Sequence, residues 1–278
     1  MIMFPKHFFK RWFYPLISVF VAVIIFLSAP LPSQATPLWR VLLEGAQVIQ
    51  LSNVSDRQEV KIGKQINQQL GRRGIKFYRN RRVNRYVNRI GQRLAAQSGR
   101  PNIPYKFQVV EDKKINAFAT AGGYVYVHTG LLEAADNEAE LASVIAHEIG
   151  HIGGRHLVKQ LRQTTLASGV ATALGVRRER LVSLGVELAL KRPNSRRHEY
   201  DADRRGLRSL NRAGYAPSGM VTFMQKLLNK RSVPTLFSTH PATSSRIRNL
   251  KVQIENLPSK GNDGLGRASY KANIRPLK

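Results

Sequence analysis

Apolar residues fall on a helical period in two stretches of this chain. Leu141, Val144, Ile145, Ile149 and Ile152 recur at spacings of three and four, which predicts one amphipathic helix between Asn137 and Gly153. Asn137 suits its N-cap, Glu140 stands where a capping-box partner belongs, and Gly153-Gly154 suits its end. Val83, Tyr86, Val87, Ile90 and Leu94 repeat the pattern, with Arg82, Arg85, Arg89 and Arg93 on the opposite face. Pro101 to Pro104 interrupts this helix, and the period then shortens. Tyr105 to Val110 reads as a strand, Glu111 to Lys114 as a charged turn, and Ile115–Ala119 and Tyr124–His128 as a hairpin about Gly122-Gly123. If that hairpin forms a sheet edge beside the 137–153 helix, its unpaired backbone can take an extended peptide by strand addition. A further helix starts at Pro193-Asn194-Ser195 and ends at Arg212-Ala213-Gly214. Two apolar runs precede it, Thr164–Val176 and the one ending at Leu190, and both fall short of the roughly 20 residues of a membrane span. They read as helices or as a flap over a site. The class expected is α+β, mainly helical with a small sheet next to the 137–153 helix.

Charge changes the picture at the surface. The 278 residues hold 45 Lys and Arg against 17 Asp and Glu, a formal net charge of +28. From Arg57 to Lys106 only Glu59 opposes the basic residues. Such a chain is attracted to anionic surfaces, a membrane surface among them, although arginines along a helix face are most often simply solvated. No paired Cys/His finger spacing and no aromatic nucleic-acid-binding strand is present, so nucleic acid is not the expected partner.

At the N-terminus Lys6, Lys10 and Arg11 precede a charge-free run from Trp12 to Ala29. Residues 1–35 read as a signal peptide cleaved after Ser33-Gln34-Ala35, or as an uncleaved anchor, and either places the body outside the cytoplasm. Residues 36–56 read as a linker or N-terminal extension, 57–257 as the main domain, and 258–278, polar and basic without apolar periodicity, as a mobile tail. Cysteine is absent, so a zinc site here must be built from His and carboxylate.

The first helix carries candidate chemistry. His147 and His151, one turn apart, project together and can reach one zinc ion, while Glu148 is placed to take a proton from an activated water. The bland alternative is a buried helix that happens to carry these residues. Glu199 and Asp203 share a face of the later helix: Glu199 can complete a His-His-Glu site and Asp203 can accept the outer N–H of a ligand histidine. They could equally be ion pairs among Arg196, Arg197, Arg204 and Arg205. His128, alone at a strand end, is left out. His156 is a weak candidate as well, since on a continued helix it points about 140° from His151 and Gly153-Gly154 ends the helix first.

Taken together, His147-Glu148-x-x-His151 and Glu199-x-x-Ala-Asp203 resemble the gluzincin metallopeptidases, in particular the group holding the CAAX prenyl endoprotease and the bacterial heat-shock and outer-membrane quality-control proteases. Asn116-Ala117-Phe118-Ala119, Gly122-Gly123 leading to Gly130-Leu131-Leu132, and Ser238-Thr239-His240-Pro241 with Arg246 are similar to further motifs of that group. The resemblance implies a zincin-like fold with zinc on His147, His151 and Glu199. It implies Glu148 as general base and then acid, Asp203 orienting a histidine, and His240 stabilising the oxyanion. Asn116 would bind substrate or give structural support, and Arg246 would hold the active-site loop or contact substrate. Polypeptide substrates follow, misfolded or unassembled envelope proteins above all. Prenylated ones do not, since the membrane-embedded relatives carry several transmembrane helices. A membrane-surface chaperone or adaptor with little proteolysis is the competing expectation.

Overall fold

The computed structural model describes residues 48–49, 51, 53–168, 176–191, 194–229, 235–241 and 244–277. The segment read as signal or anchor and nearly all of the linker lie outside them, as do residues 169–175 of the first apolar run. In chain order the elements are β1 (Val48–Ile49), α1 (Asp56–Arg72), α2 (Arg81–Ala95), β2 (Lys106–Val110), β3 (Ala117–Ala119) and β4 (Tyr124–His128). Then come α3 (Thr129–Ala134), α4 (Glu138–Gly153), α5 (His156–Ala167), β5 (Val176–Arg177), α6 (Arg178–Lys191) and α7 (Arg196–Arg212). The chain closes with α8 (Ser218–Leu228), α9 (Thr235–Thr239), α10 (Ser244–Glu255) and α11 (Arg267–Ile274). The α+β expectation holds, and no helix among the described residues is long and apolar enough to cross a membrane.

Helix starts follow side-chain chemistry. Ser55 and Gln58 close a capping box on α1, Asn80 accepts from the amides of Arg82 and Val83 on α2, and Ser195 accepts from His198 N on α7. Asn137 caps α4 through Glu140 N at 2.9 Å. Glu140 does not turn back to Asn137, however. Its carboxylate accepts from Asp136 N at 2.9 Å, from Thr222 Oγ1 and from Lys226, because that cation and hydroxyl of α8 compete for it.

The main sheet has the order β2-β4-β3, with β4 parallel to β2 and antiparallel to β3. The 115–128 hairpin therefore forms, with β3 as its edge strand. Strand β4 is buried along its whole length, as befits a strand covered on both faces. Val125 and Val127 join the core made with α2 and α4, while Tyr124 and Tyr126 join the one made with α1 and α6. In α2 the apolar stripe is buried, and three of the arginines opposite have partners within the chain. Arg82 donates to Ala272 O, Arg89 lies over the Tyr86 ring, and Arg93 covers the Tyr215 ring and pairs with Asp263.

Helices α4 and α7 pack backbone to backbone. A Cβ at Gly206 would lie 2.9 Å from Ala146 O, so glycine is what permits the approach. Residues 258–278 correct the expectation of a mobile tail. Tyr270 is fully buried and donates to Leu132 O at 2.6 Å, Ile274 joins the same core, and Gly264 O accepts from Ala139 N at 2.9 Å. Two apolar residues one turn apart anchor α11, too sparse a pattern to register as a period.

Candidate metal centre

Helix α4 delivers His147 and His151 from one face, and α7, held against it, delivers Glu199. The two Nε2 atoms stand 3.1 Å apart. Glu199 Oε2 is 3.4 Å from His147 Nε2, and Oε1 is 3.3 Å from His151 Nε2. Two nitrogens at about 2.0–2.1 Å from one tetrahedral ion lie about 3.3 Å apart, so a zinc-sized cation fits this spacing. His240, just after α9, joins them: its Nδ1 lies 3.2 Å from Glu199 Oε1 and 3.3 Å from His147 Nε2. The ligand atoms of all four residues fall within 4.8 Å of one another, and all four residues are buried.

His240 Nδ1 lies among the ligand atoms of the other three residues, where a fourth ligand would stand. Its other nitrogen, Nε2, is 3.5 Å from Glu148 Oε1. Glu148 is fully buried, yet neither of its oxygens accepts a hydrogen bond from the described residues. A buried carboxylate with no donor is costly unless it serves a ligand or a water.

Behind the cluster, Asp203 Oδ1 stands 3.0 Å from His147 Nδ1. Arg246 grips Asp203 with two hydrogen bonds of 2.7 Å, reaches Glu199 Oε2 at 2.7 Å, and donates to Pro241 O at 2.9 Å. It thus ties together both acids and the loop that carries His240. Burial resists charge on His147, but Asp203 and Glu199 outweigh it and hold the imidazolium well above its ordinary range. Burial pushes His151 well down, against the pull of Glu199. Glu199 is held well below the usual carboxylate range by His240, His147 and His151, although burial opposes this. Asp203 and Glu199 thus favour positive charge beside His147, as carboxylates grouped around a metal ion would.

Asn116 precedes β3 at the edge of the sheet. Its carbonyl accepts from His128 N, and its buried side-chain Oδ1 accepts no hydrogen bond from the described residues. One residue earlier, Ile115 O accepts from Leu236 N of α9 at 3.0 Å. The cavity at the cluster is lined by Phe118, Ala119 and Thr120 from this edge, together with Glu148, His151 and His240.

Sequence reasoning missed His156, Asp201 and His198. Helix α4 stops at Gly154, and Arg155 adopts a left-handed conformation (φ 53°), so α5 starts on a new axis and His156 faces back. Its Nδ1 is 2.9 Å from His151 Nδ1, and its Nε2 is 3.1 Å from Asp201 Oδ2. The His198 ring stacks on it, centroids 4.3 Å apart and planes 9° from parallel. Burial, and then the neighbouring His198, push His156 down to about 4. The Gly153-Gly154 pair was the available signal, since a helix that breaks there need not leave His156 pointing away.

Comparison with known proteins agrees with this geometry. The profile of peptidase family M48 matches residues 81–254. The beta-barrel assembly-enhancing protease of Escherichia coli (strain K12) is 32% identical over 213 residues, covering 70% of this chain and 44% of that protein. The metalloprotease LoiP of the same organism is 29% identical over 226 residues, covering 76% of this chain and 86% of its own length. A mitochondrial metalloendopeptidase of Schizosaccharomyces pombe is 30% identical over 174 residues, covering 60% of this chain and 51% of its own. The chain thus spans less than half the length of the first of these relatives and most of the second.

Proposed function

We propose that this chain, which belongs to peptidase family M48, is a zinc-dependent metalloendopeptidase that hydrolyses peptide bonds of misfolded or unassembled envelope proteins. The observation that carries this is the convergence of His147, His151 and Glu199 beside a buried Glu148 that receives no hydrogen bond from the described residues. Within the family we group it with exported quality-control members rather than with the prenyl endoproteases. The charge pattern of residues 1–35 supports export. One relative's name ties that protein to β-barrel assembly, so β-barrel precursors are the first substrates to test.

His147, His151 and Glu199 would hold the ion. Zinc, when bound, supplies a Lewis acid that makes a water nucleophilic at neutral pH. Glu148 takes the proton from the attacking water and passes it to the departing amine, its freedom from other hydrogen bonds leaving both oxygens available. Asp203 fixes the His147 tautomer and Arg246 fixes Asp203. Strand β3 offers its free edge to an extended substrate, and pairing at Ile115 requires Leu236 to release that carbonyl. The basic surface favours work close to an anionic membrane.

Metal analysis of the purified protein, paired with a casein-digestion assay with and without chelator, tests the reading. Stoichiometric zinc and chelator-sensitive digestion are expected. A protein that binds unfolded clients, cleaves none and ignores the chelator would be the adaptor instead.

A further inference from the structure

Both histidines of α4 have a second ring nitrogen that faces away from the ligand cluster, and each meets a partner there. For His147 the partner is Asp203. For His151 it is His156, and behind His156 stands Asp201. Both acids come from α7, the helix that also brings Glu199. Asp203 is one turn beyond Glu199 and shares its face, whereas Asp201 is turned about 200° from Glu199 and reaches a different element, the start of α5.

The hydrogens along this path are determined by chemistry. Ionised Asp201 can only accept, so it takes the Nε2–H of His156. The Nδ1 of neutral His156 then bears a lone pair, and at 2.9 Å it must accept from His151 Nδ1–H. That leaves His151 Nε2 with its lone pair directed at His147 and Glu199. The path is also held in place mechanically. Arg204 at 2.5 Å and Arg205 at 2.8 Å fix Asp201, and the His198 ring lies flat on His156. A Cβ at Gly154 would fall 2.2 Å from His156 Nε2, so glycine there is what lets the imidazole fold back against α4.

Resting on the metal reading above, we infer that Asp201 and His156 form a two-link hydrogen-bond relay that fixes the tautomer and ring orientation of His151, so that its Nε2 is presented to the metal as a lone pair. Both are positioning residues. The relay achieves for His151 what a direct carboxylate achieves for His147, but it keeps the negative charge at the protein surface, beside two arginines. The centre already contains the buried carboxylates Glu148, Glu199 and Asp203, and a fourth placed against His151 would have to be desolvated with no cation beside it. A neutral imidazole as the intermediate link avoids that.

The test is zinc affinity, measured by competition with a chromogenic chelator, together with the visible spectrum of the cobalt-substituted protein. His156→Phe keeps the stack on His198 and removes the acceptor, and Asp201→Ala releases the far end. Each should weaken zinc binding by about 10–100-fold and alter the cobalt spectrum, the usual scale for loss of a ligand's outer partner. His156→Asn can place its Oδ1 where Nδ1 stands, and should return affinity to within roughly threefold of the parent. Should His156→Phe fail to fold, Asp201→Ala carries the test from the partly exposed end of the path. A folded removal variant with parental zinc affinity and an unchanged cobalt spectrum would overturn the relay alone. A parent that binds no zinc would overturn the metal reading, and the relay with it.

Discussion

A Cβ on Gly150 would stand 2.4 Å from the backbone carbonyl oxygen of Ala202, so the helices carrying the two halves of the site touch main chain to main chain between His147 and His151 on one side and Glu199 and Asp203 on the other. The contact is a spacer set at its minimum. Gly150→Ala must drive α4 and α7 apart, since the obstacle is backbone and cannot swing aside. Overpacking of this kind costs about 1–3 kcal/mol, and here it also separates the histidines from Glu199. Thermal unfolding and zinc titration should both worsen. A variant with the parental melting temperature and zinc affinity would show that the helices are not held at this distance.

Glu148→Gln keeps shape and volume but removes the proton acceptor. Zinc content should be unchanged, because Glu148 is not a ligand, while casein digestion should fall by about 10²–10⁴-fold, the range for loss of a general base. Full activity in a zinc-replete Gln variant would remove Glu148 from the mechanism.

Arg246 is 3% exposed and compensates two buried carboxylates. Arg246→Ala leaves Asp203 and Glu199 with His147 but without the guanidinium that spans them both, and truncating one partner of such a buried pair typically costs 3–5 kcal/mol. Urea denaturation of the metal-free protein measures it. Adding Asp203→Asn should recover part of the loss, and strictly additive effects would show that the two side chains do not cooperate.

Acid should weaken the metal-free protein over a defined window. His156 stays neutral in the fold down to about 4, whereas the unfolded chain protonates it near 6.5. The unfolded state therefore binds the extra proton between those values, and stability falls as pH drops from about 6.5 to about 4, by roughly 3 kcal/mol at most. His151, also pushed down, acts in the same direction. His147 works at the other end: raised to about 10, it contributes stability that is complete below 6.5 and lost as pH climbs toward 10. Urea midpoints of the metal-free protein from pH 4 to 10 should trace a dome. Midpoints that stay level from pH 6.5 to 4 would contradict the buried neutral state of His156.

Much of this site was legible in sequence because its parts are local. His147, Glu148 and His151 lie within two turns of one helix, and Glu199 and Asp203 within two turns of another, so helical spacing alone places each set on a face. Strand β3 at the sheet edge followed from alternation and a glycine turn. What was not legible depends on how one element is aimed at another. The position of His240 depends on a loop: Arg246 donates to Pro241 O, and the imidazole stands among the candidate ligand atoms. His156 was set aside because a continued helix aims it away and Gly153-Gly154 was expected to end the helix before it, and a single left-handed residue, Arg155, turns it back toward His151. The order of residues 258–278 escaped notice because Tyr270 and Ile274 are its only deeply buried apolar anchors among the described residues.

That closing segment bears on when the centre can exist at all. The first amide of α4 past its opening residue, Ala139 N, finds its acceptor in Gly264, and Tyr270 locks onto Leu132 just upstream. A growing chain acquires all four candidate ligand side chains by His240, yet at that point the start of the histidine helix is still unclasped. A chain halted before Gly264 would hold every candidate ligand and lack the clasp on the helix that carries two of them.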